Sequence, residues 1–402
     1  MKRRIFFLLV LVLMILAWTL PATEVRLPVV RPEEVGMDFS RLALLDKVMA
    51  KALERKDFPG AVLLVTRRGK VVWRKAYGYS QLVPEPAPMK LDMVFDLASM
   101  TKPIATATSI MILVERGEVR LWDRVKTYIP EFVPYIEEKG IPGEEVRLFH
   151  LLTHTSGLPP YTDPNEVAAR YGDPCPTEVL VKHIATIRKE YRPGEKFVYS
   201  CLNYIILAHI IKLVSGLDLA EFSKQNIFQP LGLNSTFFNP PPDVRHRCVP
   251  TEVVGGQPLR GVVHDPLARL QGGISGNAGL FSTADDLAVF AQMMLNQGEY
   301  RGVRILSPLA VERMTEIFPH LMFAGRGFGW DLDSDYATVR GDLFGWKSYG
   351  HSGYTGTSIW IDPETATAVI FLTNRVHPED KGEIIAWRSK VANLVAASII
   401  KK

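Results

Sequence analysis

Two pairs of short β-rich runs, one near each end of the chain, stand out in the pattern of apolar and polar positions. Ala61 to Val65 and Val71 to Tyr77 are separated by Arg67-Arg68-Gly69 and read as a hairpin. Thr357 to Ile361 and Thr367 to Leu372 flank Asp362-Pro363-Glu364 and read as a second one, after which Ile384 to Ile400 has the apolar spacing of a closing helix. Between the hairpins the periodicity is helical, over Ile104 to Glu115, Tyr204 to Val214 and Asp285 to Leu295. The last of these is opened by Thr283-Ala284-Asp285-Asp286, a variant of the capping box. The order predicts one α/β (α+β) domain over about residues 30–402: antiparallel sheet from both chain ends (35–104 and 271–402), flanked by helices and interrupted by an inserted all-helical region at about 105–270. No internal repeat or low-complexity tract interrupts it.

The first 22 residues follow another rule. Lys2-Arg3-Arg4 leads into an unbroken apolar run of 14 residues from Ile5 to Trp18, a basic region followed by a hydrophobic one. That run is short of the ~20 residues of a full membrane span. Leu20-Pro21-Ala22 puts a large residue where a cleavage site wants a small one, so a signal peptide and an N-terminal membrane anchor both stay open. Either one implies an extracytoplasmic protein, secreted or tethered to the membrane through residues 5–22.

With 47% apolar and 22% charged residues over 402 positions, the chain is long enough to build a deep, dry site. Its formal net charge of +4 falls to +1 without the three basic residues of the leader, and no basic run follows residue 4. Nucleic acid is therefore not an expected partner. Cys175, Cys201 and Cys248 are too few for a disulfide scaffold; Cys175 with Cys248 is a candidate bridge, free buried thiols being the other reading.

The chemistry concentrates at Phe95-Asp96-Leu97-Ala98-Ser99-Met100-Thr101-Lys102-Pro103-Ile104, where an apolar helix begins just after a Ser-x-x-Lys. Residues three apart share a helix face, so the Ser99 hydroxyl and the Lys102 amine can meet at the helix start, and Pro103 in the first turn costs the helix little. A serine hydroxyl is a weak nucleophile that needs a neighbouring base, and a lysine serves as one only if its pKa falls. Ser-x-x-Lys alone is a short motif, found in serine β-lactamases and penicillin-binding proteins and also by chance.

Further segments make it specific. Pro193-Gly194-Glu195-Lys196-Phe197-Val198-Tyr199-Ser200 precedes a long apolar helix, and His351-Ser352-Gly353-Tyr354-Thr355-Gly356 precedes a terminal strand. The order Ser-x-x-Lys, Tyr-Ser-x, His-x-Gly over residues 35–400 resembles the serine β-lactamase and penicillin-binding protein superfamily, in particular its class C β-lactamase, DD-carboxypeptidase and esterase group. His150-Leu151-Leu152-Thr153-His154-Thr155-Ser156-Gly157-Leu158 and Gly279 to Leu287 resemble stretches that recur there. The resemblance implies a β-lactamase/transpeptidase-like fold and an acyl-enzyme on Ser99, with Lys102 and Tyr199 as the proton-transfer pair. It also implies an oxyanion hole from the backbone N–H groups of Ser99 and Tyr354, and places His351 and Gly353 on the strand that edges the substrate.

Two departures bear on the substrate. Where many relatives have Tyr-x-Asn this chain has Tyr199-Ser200-Cys201, and where β-lactamases usually have Lys-Thr-Gly it has His351-Ser352-Gly353. The family's histidine form occurs among peptidases and esterases, so the expected substrate is a carboxylic ester or a peptidoglycan-type D-amino-acid peptide ahead of a lactam. Cys201 is expected in the substrate-binding position that the asparagine holds. No cofactor is implied. His150 and His154, four apart, have the spacing of two metal ligands, but the leucines around them suit a packed loop and no metal site is expected. A non-catalytic envelope-binding or scaffold protein of the same fold is the rival from another class, opposed by the retention of Ser99, Lys102 and Tyr199. An α/β-hydrolase is disfavoured by the lack of a G-x-S-x-G elbow.

Overall fold

The computed structural model describes residues 26–137 and 141–401. The proposed leader, residues 1–22, lies outside them, and among the described residues no helix is long and apolar enough to cross a membrane.

Both expected hairpins form and join edge to edge. Strand β1 (Gly60–Arg67) turns into β2 (Lys70–Gln81), which pairs with the short β3 (Ala87–Pro88). From the other end, β4 (Tyr349–Ser352), β5 (Ser358–Asp362) and β6 (Thr367–Thr373) follow in a meander. The sheet has six strands in the order β4-β5-β6-β1-β2-β3, and the two chain ends meet where β1 runs antiparallel to β6, from Ala61 opposite Thr373 to Arg67 opposite Thr367.

β1 reads as an apolar run instead of an alternating one because both of its faces are covered: all eight residues are buried. Leu63 and Val65 face α1 (Leu44–Glu54) and α5 (Ile385–Ala397), packing with Met49, Trp387, Val391 and Val395. Val62 and Leu64 join the larger core with α4 (Ala284–Leu295). Thr283 caps α4, its hydroxyl accepting from the Asp286 N–H at 3.2 Å, as its sequence predicts. Burying a side chain of this size stabilises by about 1.5–3 kcal/mol, so the two-sided sheet makes a rigid frame.

The helical middle carries α2 (Thr108–Glu115) and α3 (Cys201–Ser215). Its all-helical description needs correction. Phe237–Phe238 pairs with Leu280–Ser282, which also pairs with Phe95–Asp96, and Val253–Val254 pairs with Gln257–Pro258. Ladders of two or three residues are too short to leave a periodic signal. The candidate bridge is also absent: Cys175 and Cys248 are both free thiols. Cys175 packs in the main core, whereas Cys248 sits in a separate cluster with Val94, Val263 and Phe281.

Candidate active site

The short strand Phe95–Asp96 delivers the chain to a tight 3₁₀ turn, Ala98–Met100, that presents Ser99. Ala98 has φ +46°, a left-handed conformation that costs a non-glycine residue on the order of 1 kcal/mol. Asp96, fully buried, holds it there: its carboxylate accepts from the Ala98 N–H at 2.9 Å and from the His264 N–H at 2.7 Å. The chain then widens into a π-type turn over Lys102–Ala107 before α2 begins, where an uninterrupted helix from Ile104 was expected. Such turns let a side chain leave the regular helical register.

The Lys102 side chain is fully buried behind Ser99. Its Nζ donates to Ser99 Oγ at 2.9 Å and to the Asn277 carbonyl at 2.9 Å, and approaches Cys201 Sγ at 3.6 Å. It lies 5.0 Å from the centre of the Tyr199 ring. Burial by itself would lower the Lys102 pKa; negative charge on Cys201, and then on Tyr199 with its hydroxyl against the ammonium, outweighs that and holds the amine above its ordinary value. Burial pushes the Cys201 thiol up, against the pull of Lys102.

Tyr199 is fixed from the segment leading into α3. The Ser200 N–H donates to His154 Nδ1 at 3.0 Å, the Ser200 hydroxyl to the Pro159 carbonyl at 2.6 Å and the Cys201 N–H to the Pro160 carbonyl at 2.9 Å. Its ring stacks on His154, with centroids 4.3 Å apart and planes at 27°, and its hydroxyl is buried without a well-formed hydrogen bond. His154 thus serves the tyrosine. Its pKa is pushed well below the usual histidine range by burial and by Arg326 and Lys102, so it is a neutral acceptor. His150 accepts from the Arg147 N–H at 3.1 Å at the start of its own helix, and among the described residues no cluster of potential metal ligands includes either histidine.

Strand β4 closes the opposite wall. His351 is buried, its Nδ1 bonding the Ser352 carbonyl at 2.8 Å, so Nδ1 carries the proton and Nε2 is an unpaired acceptor. Burial, Arg326 and Lys102 hold its pKa well below the usual range, so this histidine carries no charge at working pH. Gly353 is a glycine for a steric reason: a Cβ there would stand 2.3 Å from the Leu97 carbonyl oxygen. The approach is tight because Thr355 donates to the Asp96 carbonyl at 2.7 Å and Thr357 to the Leu97 carbonyl at 3.1 Å, stitching this turn to the one that bears Ser99.

Ser99, Tyr199, His351, Gly353 and Tyr354 all line one cavity of ≈ 480 Å3. Lys102 stands behind Ser99. Cys201 is partly exposed, is not among the lining residues and reaches the site at Lys102 Nζ. Arg326, Tyr336 and Arg388 are among the residues of this cavity that sequence reasoning passed over. Arg326 is 1% exposed, with Asp331 at 3.3 Å and the Tyr199 ring 5.7 Å from its guanidinium carbon. A lone arginine inside Gly325-Arg326-Gly327-Phe328-Gly329-Trp330 was the available signal.

The same constellation has known relatives. The Beta-lactamase family model matches residues 45–393. A protein of Salmonella agona (strain SL483) named "Putative D-alanyl-D-alanine carboxypeptidase" is 32% identical over 390 residues, covering 90% of each chain. Among solved structures, "EstCE1, a hydrolase with promiscuous acyltransferase activity" superposes with a TM-score of 0.72 at 24% identity, over 89% of this chain and 99% of that one. The octameric penicillin-binding protein homologue from Pyrococcus abyssi follows the same fold with a TM-score of 0.67 at 25% identity, over 88% of this chain and 76% of that one.

The chain belongs to the β-lactamase family, with the antiparallel sheet and flanking helices of the β-lactamase/transpeptidase fold. The Salmonella relative carries a carboxypeptidase name, and a solved structure of the same fold is named a family VIII carboxylesterase.

Proposed function

We propose that the protein is an extracytoplasmic serine hydrolase that forms an acyl-enzyme on Ser99 and acts on carboxylic esters or D-amino-acid peptides. The observation that carries this reading is the 2.9 Å hydrogen bond from the buried Lys102 amine to a Ser99 hydroxyl that lines the cavity, beside Tyr199. Ser99 Oγ bonds to the acyl carbon as its proton passes into the Lys102–Tyr199 pair, and the tetrahedral oxyanion is received by the N–H groups of Ser99 and Tyr354. The leaving alcohol or amine takes that proton as its bond to the acyl carbon breaks. Water, giving a proton to the same pair, then releases the carboxylic acid and restores the serine. The basic-then-apolar start supports a location outside the cytoplasm. Fractionation of the native cell should find the chain in envelope or secreted fractions; recovery from cytosol contradicts this part of the reading.

The lack of an amide at position 201 favours esters and permissive peptides over lactams. A thiol is only a weak donor and acceptor, so the acylamino group of a lactam or peptide finds no amide partner there, at a cost of roughly 1–3 kcal/mol, about one to two powers of ten in rate constant. Asn203 does not compensate, since it is fully buried and its side chain accepts from the Ser156 hydroxyl at 2.6 Å. In a substrate panel, Cys201→Asn should raise kcat/KM for acylamino-bearing lactams or peptides relative to a short-chain aryl ester. A ratio that stays flat or falls removes Cys201 from the account of specificity.

A further inference from the structure

We propose that Arg388, on α5, is the residue that aims and polarises the Tyr354 N–H, the half of the oxyanion hole contributed by the β4–β5 turn. The inference rests on the hydrolase reading above and adds to it a residue of the closing helix, at the end of the cavity where the β4–β5 turn lies.

Arg388 is 7% exposed, and its Nη2 donates to the Gly353 carbonyl at 2.8 Å and to the Thr357 carbonyl at 2.7 Å. Among the described residues no carboxylate lies within ion-pair distance of it, and its Nε is buried without a partner. A cation taken out of water with only carbonyl oxygens around it is a costly arrangement that packing alone does not call for. Burial, and then the neighbouring Arg375, lower its pKa to about 9, which still leaves it charged at neutral pH.

What it grips explains the arrangement. The Gly353 carbonyl and the Tyr354 N–H belong to one peptide unit, which is planar and trans, so the two groups point in opposite directions. Fixing the carbonyl on a cation held in α5 fixes the N–H toward the other side, and Tyr354, Gly353 and Ser99 line the same cavity. A positive charge on the carbonyl oxygen also draws electron density along the peptide and makes its N–H a stronger donor. The Gly353 oxygen accepts as well from the Gly356 N–H at 3.1 Å, and the Thr357 oxygen from the Gly353 N–H at 2.8 Å. Arg388 therefore locks both ends of a turn whose backbone is already closed on itself. Arg388 acts through that peptide, so it is a positioning residue.

The test compares wild type, Arg388→Gln and Arg388→Lys on neutral p-nitrophenyl butyrate, its thionoester and an anionic p-nitrophenyl hemisuccinate, with thermal melts on each. Misaiming one oxyanion donor lowers kcat by about 10²-fold. Arg388→Gln should show that loss with KM little changed and with the same factor on neutral and anionic esters. The rate preference for the ester over its thionoester should shrink, because sulfur accepts a hydrogen bond poorly and gains least from a well-aimed N–H. Arg388→Lys, which keeps the cation and one of the two bonds, should recover about tenfold of it. An unchanged kcat, a loss confined to KM, or a loss confined to the anionic ester overturns the proposal, the last by making Arg388 a substrate-binding group. If Arg388→Gln does not fold, Arg388→Lys decides: wild-type kcat and thionoester preference in that variant overturn it. Fluorophosphonate labelling of wild-type Ser99 separates the two levels. Without labelling the hydrolase reading itself fails, and with labelling but unaltered variants only the role of Arg388 does.

Discussion

Lys102→Arg should lower kcat/KM for ester hydrolysis by about 10³–10⁴-fold, the span that a positioned proton-transfer group contributes. The amine is fully buried and its three neighbours, Ser99 Oγ, the Asn277 carbonyl and Cys201 Sγ, surround a compact ammonium. A planar guanidinium is too large for that shell, and it stays protonated at any working pH, so it can hold charge beside Tyr199 but cannot pass a proton on. The transferred proton is assigned to the Lys102–Tyr199 pair because the buried amine donates to Ser99 Oγ at 2.9 Å and lies 5.0 Å from the centre of the Tyr199 ring. Steady-state kinetics with a p-nitrophenyl ester, with melting temperature as the folding control, checks it. An arginine variant that keeps most of the acylation rate places the base elsewhere.

Ser99→Ala should be the more severe change, since loss of a serine nucleophile elsewhere costs about 10⁶-fold in kcat. Little else should alter. Ser99 is only partly buried, its hydroxyl is tied to Lys102, and Lys102 retains the Asn277 carbonyl when that bond is lost. Melting temperatures of the variant and the wild type should then agree within a few degrees, which distinguishes a missing nucleophile from a damaged fold. Residual activity near wild type would move the chemistry to another residue.

Much of this was legible in the residues. The two hairpins announced themselves because turn-forming triplets separate their apolar runs, and the strands Gly60–Arg67 and Thr367–Thr373 add only a residue or a few to Ala61 to Val65 and Thr367 to Leu372. Thr283 was readable as a cap because capping is a contact between residues three apart. Ser99 with Lys102 was readable for the same reason. Contacts that join distant segments were not. The carboxylate of Asp96 holds both Ala98 and His264, the latter 168 positions away, and no local pattern marks it. Arg388 looks like one more helical arginine until α5 is laid against the β4–β5 turn. The left-handed Ala98 was hidden as well, because alanine is the wrong residue from which to expect a positive φ. The candidate pairing of Cys175 with Cys248 failed because cysteine spacing carries no information about which core each thiol enters.

The central claim is that an acyl group is carried on Ser99. Purified protein should be incubated with a fluorophosphonate probe, digested, and mapped by peptide mass spectrometry beside the Ser99→Ala variant. One adduct on the peptide containing Ser99, absent from Ser99→Ala, is the result the account predicts. An adduct on a different residue, or one that persists in Ser99→Ala, would contradict it.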